Sequence, residues 1–357
     1  MNPAVMAKAA RNALATVEIN FNRLVGREFV PRRRDTLHIE TSSLCNLKCR
    51  FCAYEKKQSP KVVMEDEFFV DCITQATEMG YRHFEMTPCT GDVFMDRHVF
   101  NKLKFLDQNP NVAGYQFFTN FTIPRRRDVE RLVRLQKLKN LTISIYGHDL
   151  ETFIAITKST EKVYKRLIAN LEILFGLLRE TKFTLSFGFR STRHVPSRAS
   201  SEIMAMLDRF EKAGIAVHRS DAVYNNWGGY ISKEDVRGLD MDVTGAEAIY
   251  KKGACVRLLT TVQIMATGIV NGCACRDADA TLRIGDLNKA PLREILSAGN
   301  QAYMDLIDEQ QRGQFRTICK SCDFYKSIYH TRSSYRRDGV EVQSLEEFKA
   351  RLDQALD

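Results

Sequence analysis

Cys45-Asn46-Leu47-Lys48-Cys49-Arg50-Phe51-Cys52 is the stretch on which the reading of this chain turns. Three thiols spaced C-x3-C-x2-C can converge on one inorganic centre, because soft sulfur ligands select iron–sulfur clusters or zinc. No fourth cysteine follows locally. Three thiolates can bind three irons of a [4Fe–4S] cube and leave the fourth open to a small ligand, whereas a zinc knuckle would use paired C-x2-C or C/H units with a fourth ligand nearby. Just upstream, Thr36-Leu37-His38-Ile39-Glu40 alternates like a short strand. The cysteine loop therefore leaves a strand end, where parallel α/β sheets collect their ligands.

Outward from that strand the chain alternates between two periods. A helix is expected from about Glu65 to Met79, with Phe68, Ile73 and Ala76 on its inner side. Strands are expected at His83-Phe84-Glu85-Met86, Gly114-Tyr115-Gln116-Phe117-Phe118, Leu141-Thr142-Ile143-Ser144-Ile145, Phe183-Thr184-Leu185-Ser186-Phe187 and Ala216-Val217-His218, separated by helical stretches. Six strands with crossover helices imply a parallel sheet, open or curled into a partial barrel. The N-terminal stretch from Pro3 to about Leu24 reads as a helix, with Val5, Ala9, Leu14, Val17 and Phe21 at helical spacing, ahead of the basic run Arg32-Arg33-Arg34. It would dock on the barrel or lie on an acidic membrane surface. At the other end, Ser344-Leu345-Glu346-Glu347 fits a capping box that starts a final helix to about Leu356.

Composition bounds the possibilities. With 357 residues, 44% hydrophobic and 27% charged, the chain fits one large α/β domain with a smaller appendage. No apolar run approaches a membrane span, and no secretory signal is legible at the N-terminus. Ten cysteines without an export signal point to a reducing cytoplasm and metal ligation rather than disulfides. Net charge is +9, densest at Arg32–Arg34 and Arg125–Arg127. Such runs suit a solvated face, an anionic substrate or an acidic surface. No basic motif interleaved with aromatics appears, which argues against nucleic acid as a partner.

The cysteine stretch, with an aromatic before its last cysteine, resembles the radical S-adenosylmethionine (radical SAM) superfamily. The resemblance runs over roughly residues 36–325. It implies a partial (β/α)6 barrel of the TIM type over 36–250, with Cys45, Cys49 and Cys52 holding a [4Fe–4S] cluster whose open iron binds SAM. Thr90-Gly91-Asp92 follows the second strand where the family usually shows Gly-Gly-Glu, an edge that binds the SAM amino group; Thr and Asp here depart from that pattern. Glycine at such a place permits close backbone approach. Thr119-Asn120 stands where the family often has Thr-Asn-Gly. Ser144 resembles the serine of its Ser-x-Asp-Gly segment near the ribose. Arg190 lies where relatives often place a basic group for the SAM carboxylate, and a bidentate guanidinium suits a carboxylate. Phe51 would pack on the cluster or adenine, or serve as a core aromatic.

A second set of thiols lies C-terminally. Cys255 precedes strand-like Leu258–Met265, a turn at Thr267-Gly268 and a return strand to Cys273; Cys319-Lys320-Ser321-Cys322 follows. Two pairs of thiolates suit zinc or a fully ligated [4Fe–4S] cluster, and spacing does not separate these. The resemblance does: the pattern is similar to the auxiliary-cluster extension called SPASM and its shorter form, twitch, here a small hairpin-and-helix domain over 251–330 followed by a helical tail over 331–357. No cysteine follows Cys322, so one auxiliary cluster is implied. Ile284-Gly285-Asp286-Leu287 and Leu292-Arg293-Glu294-Ile295-Leu296 match the strand and helix of that extension.

Three cysteines remain. Cys72 reads as a core residue. Cys89 packs in the core or beside SAM. Cys275 lies two residues beyond Cys273 and is the candidate catalytic thiol, a hydrogen donor or alternative ligand. The resemblance implies a 5′-deoxyadenosyl radical that abstracts hydrogen from a substrate carbon, and an external reductant such as flavodoxin or ferredoxin. The extra cluster favours net oxidation of a carbohydrate-like or aminocyclitol-like small molecule. Radical modification of a ribosomally made peptide, epimerisation through Cys275 and a non-catalytic metal scaffold are the alternatives. His148 and Asp277 are the candidate proton acceptors.

Overall fold

The computed structural model describes Val17 and residues 36–87, 89–195, 201–220, 222–246, 249, 251–329, 342 and 344–356. The expected N-terminal helix, apart from Val17, and the Arg32–Arg34 run lie outside these residues.

All six expected strands form: β1 (Thr36–Ile39), β2 (His83–Glu85), β3 (Gly114–Thr119), β4 (Leu138–Tyr146), β5 (Thr184–Arg190) and β6 (Ala216–Arg219). They are hydrogen-bonded in chain order and every pairing is parallel. Helices α1 (Asp66–Glu78), α2 (Val99–Gln108), α3 (Arg126–Leu132), α4 (Leu150–Thr157), α5 (Glu161–Gly176) and α6 (Glu202–Lys212) supply the crossovers. Each lays an apolar stripe on the sheet, as Leu167, Leu171 and Leu174 do from α5. On α1 the inner side holds Phe69, Cys72, Ile73 and Ala76, so Phe69 rather than Phe68 enters the core. Phe68 is one position off the buried i, i+3, i+4, i+7 stripe and is only half-buried.

Past β6 come the short pair β7 (Val223–Tyr224) and β8 (Asp242–Val243), then α7 (Arg257–Thr260), β9 (Gln263–Ile264), β10 (Ile269–Asn271) and β11 (Arg283–Asp286). The stretch expected as one strand over Leu258–Met265 is a helical turn followed by two strand residues, because Cys255 and Val256 carbonyls cap α7 through the amides of Leu258, Leu259 and Thr260. The turn forms at the expected glycine: Gly268 has φ +89° and its N–H bonds to Met265 O at 2.9 Å. The strand and helix expected at 284–287 and 292–296 are β11 and α8 (Leu292–Ile295). Helices α9 (Gln301–Gln311), α10 (Thr317–Ser321) and α11 (Leu345–Leu356) complete the described chain, the last closed by the expected box between Ser344 and Glu347.

The hairpin does not stand apart. β9 pairs in parallel with β1, so one nine-stranded sheet runs β11-β10-β9-β1-β2-β3-β4-β5-β6. One apolar core extends from Leu37 to Phe348. Among the described residues, no helix is long and apolar enough to cross a membrane.

Candidate active site and second thiol centre

The cysteine loop is held by its backbone. Lys48 N and Arg50 N donate to Thr157 O and Ile156 O at the end of α4, both at 2.9 Å, and Cys52 N closes a turn onto Cys49 O at 3.0 Å. Asn46 Nδ2 donates to Thr122 Oγ1 at 2.8 Å, and Asn120 Nδ2 reaches Asn46 Oδ1 at 3.0 Å and Cys45 Sγ at 3.8 Å. Phe51 stacks on Tyr224, centroids 4.8 Å apart, and tilts against Tyr146.

Gly91 packs against the approach to this loop. A Cβ there would stand 2.8 Å from Ser42 O and 3.0 Å from Leu44 O, and its φ is +137°. The glycine thus serves backbone-to-backbone approach, with Asp92 N donating to Leu44 O at 2.7 Å. The Asp92 carboxylate is used within the fold: it accepts from Phe94 N, Thr119 Oγ1 and Asn120 N. Arg190 Nη1 donates to Ser144 Oγ across adjacent strands at 3.2 Å.

A cleft enclosing about 1340 Å³, part of it open solvent, brings these pieces together. Cys45, Cys49, Cys52 and Phe51 line it, as do Thr90–Asp92, Asn120, Ser144 and Arg190. Its wall takes residues from β1 through β5, so the sheet curls around a lumen. Cys275, Arg276 and Cys89 face the same space. His148 and Asp277 do not line it. The first is buried with Nδ1 on Ser191 Oγ at 2.9 Å; the second is fully buried and accepts from Leu282 N and Thr281 Oγ1.

Two lumen-lining residues, His38 and Glu85, were missed from the sequence. His38, Glu85, Gln116 and Asn140 are register partners across β1 to β4. Gln116 Nε2 donates to Glu85 Oε2 at 2.5 Å and Asn140 Nδ2 to Gln116 Oε1 at 2.8 Å. Burial raises the Glu85 carboxyl above its ordinary range, opposed by hydrogen bonds from Thr87 and Gln116. Burial, then the charge of Arg257, lowers His38 to about 4. The legible signal was parity: polar residues recur at alternate positions of strands that otherwise read as apolar.

A second pocket, enclosing about 370 Å³ with part of it open solvent, is lined by Cys255, Cys273, Cys319 and Cys322, and by Cys275 as a fifth thiol. Gln310 bridges two of them, accepting from Cys255 N at 2.8 Å and donating to Cys319 Sγ at 3.2 Å. Amides two residues on point at sulfur: Leu47 N to Cys45, Cys275 N to Cys273 and Phe324 N to Cys322 at 3.2–3.4 Å, with Tyr54 and Arg257 acting likewise on Cys52 and Cys255. Such N–H donors stabilise and tune thiolates of iron–sulfur clusters. All ten cysteines are free thiols. Burial pushes Cys45 and Cys319 up to about 12 and Cys52 and Cys255 to about 11. Cys72, packed in the core, rises to about 12 as well, so this shift alone does not mark a ligand. Thiols so placed give up their protons when a metal takes their place. Among the described residues no three His, Cys, Asp or Glu side chains stand at single-ion spacing.

By sequence, the chain matches no family model and no curated protein. By structure it is similar to BtrN in complex with AdoMet and 2-DOIA, with a TM-score of 0.56 at 13% identity, covering 85% of this chain and 99% of that one. It is also similar to Streptococcus suis SuiB bound to the precursor peptide SuiA, with a TM-score of 0.51 at 15% identity, covering 96% and 81%. Native anSMEcpe with bound AdoMet gives 0.51 at 15% identity, covering 90% and 95%. The chain therefore has the fold of the radical SAM enzymes, a partial α/β barrel curled around a cysteine-rimmed lumen.

Proposed function

We propose that this chain is a radical SAM enzyme with two [4Fe–4S] clusters, one held by Cys45, Cys49 and Cys52 in the 36–250 barrel and one by Cys255, Cys273, Cys319 and Cys322 in the 251–330 extension. The observation that carries the reading is the single cleft onto which the three loop cysteines and the strand-end residues Thr90, Gly91, Asp92, Asn120, Ser144 and Arg190 all open. When bound, these groups supply reductive cleavage of SAM to a 5′-deoxyadenosyl radical, hydrogen abstraction from a substrate carbon, and a store for the electron that net oxidation releases. The electron arrives from an external one-electron reductant of the flavodoxin or ferredoxin type.

The chain's own groups divide the remaining work. Arg190, fixed by Ser144, presents its guanidinium to the SAM carboxylate. Asp92 shapes the Thr90–Gly91 edge from behind, since its oxygens are taken by Phe94, Thr119 and Asn120. Substrate lies beside His38 and Glu85, and oxidation of a hydroxyl-bearing carbon sheds a proton there. His38, neutral near pH 7, and the Glu85 carboxylate are the acceptors that face it. These two side chains support a hydroxylated small molecule as substrate. Epimerisation is the second reading, favoured by the Cys275 thiol on the same wall.

Anaerobic reconstitution tests the proposal. The chain should take up about eight irons, retain about four when Cys319 and Cys322 are replaced, and form 5′-deoxyadenosine on reduction with SAM. Zinc at the first site, with SAM left intact, would overturn it. Solvent deuterium in the product carbon would move the assignment from oxidation to epimerisation.

A further inference from the structure

The chain has one tryptophan, Trp227, and its backbone takes a conformation that a bulky side chain rarely adopts. Its φ is +52°, and Gly228 and Gly229 follow at +64° and +99°. Left-handed backbone at a residue of this size persists only where the surroundings over-determine it. Here the surroundings belong to the second set of thiols. Asn226 N donates to Asp323 Oδ2 at 2.9 Å and Asn226 Nδ2 to Ser321 O at 2.7 Å, which clasps the turn to both sides of Cys322. Asn226 Oδ1 accepts from Gly228 N at 2.9 Å and closes the turn itself. The glycines let α10 lie against it: a Cβ on Gly228 would run into Ile318 Cδ1, and one on Gly229 would stand 2.8 Å from Ser321 Cβ.

The residue that this turn delivers belongs to the lumen. Trp227 lines it together with Asn225, Cys275 and Arg276, and the Arg276 guanidinium lies 5.7 Å from the indole centroid. The indole also packs against the small cluster of Ala53, Cys89 and Ala278, where Ala53 directly follows Cys52. We propose that Asn226 is a positioning residue: through it the loaded Cys319–Cys322 loop holds Trp227 in the lumen wall, so that the second centre shapes the substrate chamber as well as storing an electron. This rests on the reading that Cys255, Cys273, Cys319 and Cys322 hold a [4Fe–4S] cluster. Ligation of all four thiolates to one cube fixes Cys319 and Cys322 against the hairpin, and with them Ser321 O and the Asp323 carboxylate, the two acceptors that set the turn. Without the cube these acceptors hang from a helix of five residues, and the strained turn relaxes and withdraws the indole from the wall.

The test reads the emission maximum of the sole tryptophan, excited where tyrosine does not absorb, in anaerobically reconstituted full-length protein. Asn226→Ala carrying as much iron as wild type should emit at longer wavelength, with its far-ultraviolet circular dichroism unchanged. Cys319→Ala with Cys322→Ala, holding the first cluster alone, should show the same shift. If Asn226→Ala does not fold, Asn226→Asp carries the same expectation, since it keeps the acceptor for Gly228 and loses the donor to Ser321. Wild-type emission from fully loaded Asn226→Ala would overturn the positioning role. Wild-type emission from the double cysteine variant would overturn its dependence on the second centre. Wild-type protein that takes up iron at the first cysteines alone would overturn the reading of the second cluster, so the failures are distinguishable.

Discussion

At the scale of single residues, the site depends on side chains whose duties differ from their position in a motif. Gly91 is needed for contact with the backbone of residues 42–44, and Gly91→Ala should cost about 1–3 kcal/mol in chemical denaturation, with poorer cluster loading. His38 makes stability depend on pH. Its folded pKa of about 4 lies below the ordinary 6.5, so the unfolded chain binds the extra proton between those values. Stability is then fully present above pH 6.5 and falls by about 3 kcal/mol as the pH drops to about 4. Urea unfolding of wild type and His38→Asn across pH 4–7 checks this: the difference between them should shrink as the pH falls. The cysteines were legible because ligand spacing is local in the chain. His38 and Glu85 were not, since whether they face a lumen or a helix depends on how six strands curl.

At the scale of elements, α1 and α2 are joined by a buried charge network. Lys102 on α2, its side chain 1% exposed, pairs with Asp96 Oδ2 at 2.6 Å and with Asp66 Oδ1 of α1 at 2.8 Å. Lys102→Met would leave the buried Asp96 without its cation and should lower stability by about 3–5 kcal/mol, read from thermal or urea unfolding, while the iron count of folded protein stays unchanged. In sequence Lys102 sits in Asn101-Lys102-Leu103-Lys104, where a lysine reads as a solvated face. Only the return of α2 over the start of α1 shows otherwise. The strand expected at Leu258–Met265 failed for a related reason: Leu258 and Leu259 are buried from a helical turn as readily as from a strand, and apolar runs this short do not reveal their period.

At the scale of the whole molecule, pairing of β9 with β1 joins residues more than two hundred positions apart into one sheet. No local pattern announces such a contact, because the two edges are complementary only once each half is formed. The expected outcome is a single cooperative unfolding transition, with circular dichroism and intrinsic fluorescence coincident. A chain ending at residue 250 would expose the β1 edge and should aggregate or lose iron from the first cysteines; its recovery as a monomer with about four irons would show the barrel to be self-sufficient. Cys275 and Arg276 form a party wall, one face turned to the lumen and the other to the thiol-lined void. Arg276 is wedged there between Trp227 and Phe324, its guanidinium 3.7 Å from buried Asp323. Remodelling that partition to admit a different guest would disturb both rooms at once. Evolutionary drift in what the molecule accepts is thereby steered to residues such as Thr87 and Phe118, which line the lumen and not the second chamber.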